Sequence, residues 1–267
     1  MNGMERHGSD LPTARTLQPC SLPLRSENRT QKESENLREQ SRLLQQHTPH
    51  HVRKGQRPLL VGHALHIRTK NRKVGHSLND GLQARIDEAL AECADAARSE
   101  VMLKHFGRSP TREECNEVVG TDSQGQPITR AMQLGVEQHT LALQWAEKKL
   151  QELKPGGFSI QPRYRVDPET GKAEYLPREV VETLLRQGRS AQLRGTIEPD
   201  IVIHEGQPHR VQDSYDYKFP CANTSRTLDW RKYPAESPHG GKRQGKVYQK
   251  ALGRQPARVQ PHLGVTR

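Results

Sequence analysis

TIEPDIVIH (residues 196–204) and HRVQDSYDYKF (209–219), separated by the four residues EGQP, decide how this chain is read. Both runs alternate apolar and polar residues with the period of two that a strand requires, and both are rich in β-branched or aromatic side chains. In the first run Ile197, Pro199, Ile201 and Ile203 fall on one face, and Glu198, Asp200 and Val202 on the other. A short polar turn between two such runs predicts a β-hairpin. The hairpin carries Asp200 near the middle of one arm and Asp216 with Lys218 toward the end of the other.

Working outward, FSIQPRYRV (158–166) also alternates as a strand and is followed by the turn DPETGK, while LPREVVETLLRQG (176–188) predicts a short helix inserted before the hairpin. Upstream, Leu82, Ile86, Leu90, Cys93, Ala97 and Val101 recur every three or four positions, the spacing of an amphipathic helix that Gly107 ends. Ser109 and Pro110 predict the cap and first turn of a second helix running to about Val119, with GTDSQGQP as a turn-rich link. Met132, Val136, Leu143, Leu150 and Leu153 mark a third, longer helix, with Trp145 on its core side, stopped by Pro155, Gly156 and Gly157. Beyond the hairpin come a loop rich in Pro, Ser and Gly that contains Trp230, a basic helix from about Arg243 to Leu252, and a strand near ARVQP. The expected fold class is α/β or α+β, a small mixed sheet flanked by helices.

Composition sets the rest of the frame. Apolar residues make up 31% of the 267 positions and the mean hydropathy is -0.94, values low enough to put much of the chain outside any core. The net charge of +11 is uneven: Lys and Arg outnumber Asp and Glu 14 to 7 over residues 1–80 and 10 to 2 over 219–267, whereas 81–218 holds 18 against 22. Basic ends around a mildly acidic middle suit a polyanionic partner. Residues 1–77, with no sustained apolar period, read as a basic low-complexity arm that is largely disordered; 78–125 as a helical segment; 126–267 as the domain with chemistry. His47, His50 and His51 in the arm read as solvated. Cys20, Cys93, Cys115 and Cys221 form no CxxC pair, so reduced, structural thiols and a cytosolic working place are expected. No run is apolar enough to span a membrane, and the N-terminus has no apolar signal core.

The chemistry follows from the hairpin. Hydrolysis of a phosphodiester near neutral pH calls for a metal ion that shields phosphate charge and acidifies water. Mg²⁺ takes oxygen ligands, one or two carboxylates with water and substrate phosphate completing the set. Asp200 and Asp216 on neighbouring strands meet that need. Lys218, two residues after Asp216, projects from the same strand face, where an ammonium can hold the attacking water and stabilise charge developing on phosphorus.

EPDIVIH followed by YDYKFPC resembles the PD-(D/E)xK, or restriction-endonuclease-like, nuclease superfamily over roughly residues 130–265. The resemblance implies a restriction-endonuclease-like core, metal ligation by Asp200 and Asp216 with Mg²⁺, or Mn²⁺ in its place, and assistance to the nucleophile by Lys218. It also implies a metal-site carboxylate on the preceding helix, Glu137 with Glu147 as the alternative, and a Gln-x-x-x-Tyr element that Gln244 and Tyr248 supply. Glu198 shares the Asp200 face and reads as a rim carboxylate. Lys242, Arg243, Lys246 and Lys250 read as a phosphate-facing surface beside Gln244 and Tyr248. The insertion at 167–195 departs from the family pattern. YDYKFPC and GGKRQGKVYQKALG further resemble nuclease toxin domains of bacterial polymorphic and type VI secretion systems. That likeness implies nucleic-acid cleavage, a cognate immunity protein and delivery from the producer's cytoplasm to that of a target cell; DNA is the expected substrate, with RNA as the alternative, and a secretion-apparatus component a further expected partner. An RNase toxin of the same fold and a non-catalytic nucleic-acid-binding protein are the alternative readings.

Overall fold

Local capping and periodicity account for the helices. The computed structural model describes residues 78–267 save Asn223; the arm at 1–77, with Cys20 and its three histidines, lies outside the described residues. Helix α1 (Asp80–Phe106) starts where the Asn79 side chain accepts the N–H of Gly81 and ends at Gly107, whose φ of 64° is the left-handed conformation that glycine adopts without strain. Its buried stripe includes Ile86, Leu90, Cys93, Ala97 and Val101, the residues its periodicity selects. Helix α3 (Arg130–Leu153) is capped by Thr129 and buries Leu134, Leu143, Trp145 and Leu150, whereas Met132 and Val136, which the apolar spacing also selects, are exposed.

Between them the structure departs from expectation. Thr111, not Ser109, caps α2 (Arg112–Asn116) through a reciprocal capping box with Glu114, and the helix stops well short of Val119. What read as helix end and link is a hairpin, β1 (Val118–Thr121) with β2 (Pro127–Thr129). Asp122 turns it by accepting the N–H groups of Gln124 and Gln126, and the β-branched Val118 and Val119 favour strand over helix.

The segments 158–166 and 196–204 each hold two strands rather than one. The first gives β3 (Phe158–Ile160) and β4 (Arg163–Val166), the second β6 (Thr196–Ile197) and β7 (Ile201–His204), with β5 (Ala173–Leu176) closing a hairpin on β4. Both breaks lie at prolines. Pro162 and Pro199 lack the N–H a ladder needs, and Gln161 before Pro162 takes φ 47°, a left-handed turn. The chain therefore passes from one sheet to another at two neighbouring points, joined by the Gln161 N–H on the Asp200 carbonyl at 2.8 Å. For this reason Ile197 leaves the face that Ile201 and Ile203 share.

On one side of that corner lies a five-stranded mixed sheet in the order β10-β9-β8-β7-β3, with β8 (Val211–Tyr217), β9 (Ala257–Gln260) and β10 (Gly264–Thr266). Its β8–β9 pair is parallel and its other pairs antiparallel. A parallel neighbour needs a crossover, which contains α5 (Gln244–Leu252). On the other side lies a three-stranded sheet, β5-β4-β6, followed in sequence after β5 by α4 (Arg178–Arg186) and a single 3-10 turn (Ser190–Leu193). The main core joins α1 and α3 to Ile201, Ile203, Tyr215, Tyr217, Ala257 and Val259, so the helical segment and the strands share one interior. A second cluster sets Val247 and Tyr248 of α5 against Tyr164, Ile197 and Val202. The fold is mixed α and β with small sheets and five α-helices among the described residues; no described helix is long and apolar enough to cross a membrane.

The cysteines correct the expectation of reduced thiols. Cys115 of α2 and Cys221, just beyond β8, form a disulfide across 106 residues, and Cys93 is a buried thiol in α1. No local spacing announces such a bond, because only tertiary packing brings its halves together. Arg98 pins the same exit segment to α1 by donating to the carbonyls of Pro220 at 2.7 Å and Cys221 at 3.0 Å. Cross-links over long loops restrict the unfolded chain strongly. Reduction with dithiothreitol, or Cys115→Ser, is expected to lower the unfolding free energy by about 2–4 kcal/mol, read as a lower urea midpoint; an unmoved midpoint would mean that the cross-link does not form in solution.

Candidate active site

The corner between the sheets is where the candidate residues meet. Ile201 pairs with Tyr215 across β7 and β8, and the same register continued by one residue sets Asp200 opposite Asp216. Cross-strand neighbours hold their Cβ atoms about 4.5–5.5 Å apart. Both aspartates are buried, at 7% and 4% exposure. Pro199 removes Asp200 from the regular ladder, and the freed carboxylate accepts the backbone N–H of Tyr217 at 2.7 Å. That bond fixes the Asp200 side chain and satisfies a buried donor.

Lys218 follows on the same face, its ammonium hydrogen-bonded to Asp216 and donating to Gln244 Oε1 at 3.1 Å. The chain of contacts continues: Gln244 Nε2 donates to the Tyr248 hydroxyl at 2.9 Å, which donates to the Glu198 carbonyl at 3.0 Å. Gln244 and Tyr248 lie one helical turn apart, so one face of α5 ties the lysine to the loop that carries Asp200. Their role here is to hold the site together from within. Trp230 lies over the Lys218 ammonium at 5.1 Å and meets Tyr248 edge to face. It fits there because residue 245 is glycine: a Cβ at that position would lie 2.6 Å from the indole ring. Trp230 is therefore a loop anchor and a wall of the site.

Asp200, Asp216, Lys218, Gln244 and Tyr248 are thus brought together. Glu137 is not among them; it faces away on α3 and pairs with Lys104 and His105. Two residues on, which is about 200° around a helix, His139 reaches the site instead, its Nε2 2.8 Å from Asp200 Oδ2. A search of the helix for a carboxylate passes over it, since a lone histidine on an amphipathic helix gives no local sign of its partner. Glu147 lines a separate cleft of about 570 Å³ on the α4 side. Glu198 is paired with Arg163 at the rim of that cleft. Lys242, Arg243 and Lys246 stand exposed on the outer side of α5, Arg243 paired with Asp229 at 3.1 Å.

Electrostatics mark the centre as strained. Burial, and then the negative charge of Asp200, push the Asp216 carboxyl up to about 7, against the opposing pull of Lys218 and His139. Burial works against charge on His139, yet Asp200 and Asp216 outweigh it and raise the imidazole above its usual range. Tyr248 is raised by burial and by Asp216, so its hydroxyl is a neutral donor. Hard carboxylate oxygens crowded at one place, with too little positive charge among them, fit a divalent cation. Among the described residues no three His, Cys, Asp or Glu side chains are gathered as a ready-made cage. Comparison with protein-family models, curated proteins and solved structures returns no match.

An aspartate whose folded pKa lies above its unfolded value binds protons more tightly when folded, so its contribution to stability falls as pH rises from about 4 to about 7. Asp216→Asn is expected to flatten that stretch of the stability curve by on the order of 1–3 kcal/mol, measured by urea unfolding at pH 4 and 7.5 in EDTA. Equal pH dependence in the two proteins would show that Asp216 titrates as an ordinary carboxyl.

Proposed function

We propose that this chain is a Mg²⁺-dependent endonuclease acting on DNA, with Asp200 and Asp216 holding the cation and Lys218 serving the nucleophile. The observation that carries the reading is the confrontation of Asp200 and Asp216 out of water, across adjacent strands, with a single ammonium on the same face. Bound there, a divalent cation would shield the phosphate and polarise its P–O bonds. The protein's own groups do the rest. Tyr217 N–H and His139 both meet Asp200 Oδ2; Gln244 and Trp230 hold Lys218 beside Asp216. From that position the ammonium can donate to an attacking water and then to the oxygens on which negative charge grows, an interaction stronger in the transition state than before it. His139, held against Asp200, acts as a positioning residue.

The toxin reading rests on the resemblance of YDYKFPC and GGKRQGKVYQKALG to secreted nuclease domains, and with it come a target-cell cytoplasm as the place of action, an immunity protein and a secretion partner. An RNase of the same fold and a binding protein without catalysis are the rival readings.

Purified chain is expected to nick supercoiled plasmid with Mg²⁺, to stop in EDTA, and to lose at least about 100-fold in rate as Asp216→Ala or Lys218→Ala. Mg²⁺ should also raise the melting temperature of the wild type and not of Asp216→Ala. Undiminished cleavage by Asp216→Ala would remove the assignment, and salt-sensitive DNA binding with no cleavage in any divalent ion would favour the binding protein. Expressed in a bacterial cytoplasm, the wild type and not Asp216→Ala should reduce viable counts, with DNA degraded before tRNA or rRNA; the reverse order would make the substrate RNA.

A further inference from the structure

A second cleft, of about 600 Å³, opens between α5 and the β4–β5 hairpin. Arg165 and Arg194 line one wall and Lys242, Lys246 and Lys250 the other; among the described residues Asp167 is the one carboxylate in the lining. Its oxygen is committed to the hairpin turn, accepting from the N–H groups of Glu169 and Thr170. All five cations are exposed. Among the described residues Lys242, Lys246 and Lys250 have no carboxylate partner, and Arg165 has only Glu174 at 3.9 Å. Five like charges facing one cavity repel each other; apart from Glu174 beside Arg165, Arg194 meets only the Glu236 carbonyl at 2.6 Å and Lys246 only the Gln249 side chain at 3.2 Å among the described residues.

The cleft is built rather than incidental. The Lys250 stem lies across Gly171, at φ 71° in the turn, where a side chain would collide with it. The loop before α5 is fastened to the opposite wall by His239 Nε2 on the Gly195 carbonyl at 2.8 Å and by Pro238 packed against Gly195. The cations also continue toward the aspartates. The same loop presents Arg231 and Lys232 over a smaller cleft that Gln244, the partner of Lys218, borders. Helix α5 thus turns Gln244 and Tyr248 to the aspartates and its lysines to the groove, with Lys246 and Lys250 about 6 Å apart along the axis.

We propose that this groove is a second nucleic-acid site, which grips the sugar–phosphate backbone of a duplex several nucleotides away from the phosphate presented to Asp200 and Asp216. The placing relative to the aspartates rests on the nuclease reading; the backbone binding does not. Phosphates spaced along a strand match cations spaced along a groove, and release of condensed counterions supplies the affinity without reading sequence.

The test is binding of the full-length chain to a fluorescein-labelled 30-base-pair duplex in EDTA across a salt series, followed by anisotropy. Arg165→Gln with Arg194→Gln and Lys250→Gln is expected to weaken binding at least tenfold near 150 mM salt and to reduce the slope of log K against log salt by about 2–3, at about 0.9 per lost phosphate contact. Lys246→Gln with Lys250→Gln, which touches neither arginine, should reduce the slope by about 1–2. A control triple of equal charge, Arg85→Gln with Arg112→Gln and Lys148→Gln, should stay within twofold of wild type. An equal loss in the control would show that overall charge alone drives binding and would overturn the groove. Polyglutamate competing as well per charge as unlabelled duplex would also overturn it, assigning the surface to an acidic protein. Because no divalent ion is present, failure of the chain to cleave DNA would undo the nuclease reading and leave this result standing.

Discussion

Asp200 and Asp216 are held out of water opposite each other, and most of the surrounding architecture exists to make that placement tolerable. Two buried like charges are unfavourable unless neighbouring groups compensate them. Here the Tyr217 N–H and His139 meet one carboxylate and Lys218 the other, while Gln244, Tyr248 and Trp230 hold the lysine in turn. Compensation is incomplete, as the raised Asp216 carboxyl shows. Sites that keep such strain are disproportionately functional.

The corner supplies the geometry. Where β3 leaves for β4 at Gln161-Pro162 and β6 turns into β7 at Glu198–Asp200, two strands change sheets side by side and are tied by one backbone bond. Asp200 sits at the bend, displaced from the ladder by a proline and so able to offer its side chain to β8. The Cys115–Cys221 disulfide and Arg98 fasten the other arm just past Lys218. Strand exit, bend and crossover helix thus converge at the same end of the five-stranded sheet.

Helix α5 then links two regions of opposite charge. Its inner face closes the acidic centre, and its outer face, with the β4–β5 hairpin, makes a groove lined by five cations. The hairpin that precedes β6 and β7 in sequence is, in space, the far wall of that groove.

The sequence by itself determined the elements whose signals are local. Period-four apolar residues and Gly107 placed α1, the run from Met132 to Leu153 placed α3, and the EGQP turn between alternating segments placed the β7–β8 hairpin with Asp216 and Lys218 on one strand face. Gln244 and Tyr248, four positions apart, share one face of α5. Tertiary structure alone decided what depends on contacts far apart in the chain. Those contacts made a hairpin of residues 118–129 and split 158–166 and 196–204 between two sheets. They joined Cys115 to Cys221, and they brought His139 rather than Glu137 to Asp200. A residue's own neighbours fix its backbone tendency and the face it occupies, but which distant group that face meets is settled only when strands pair and helices pack.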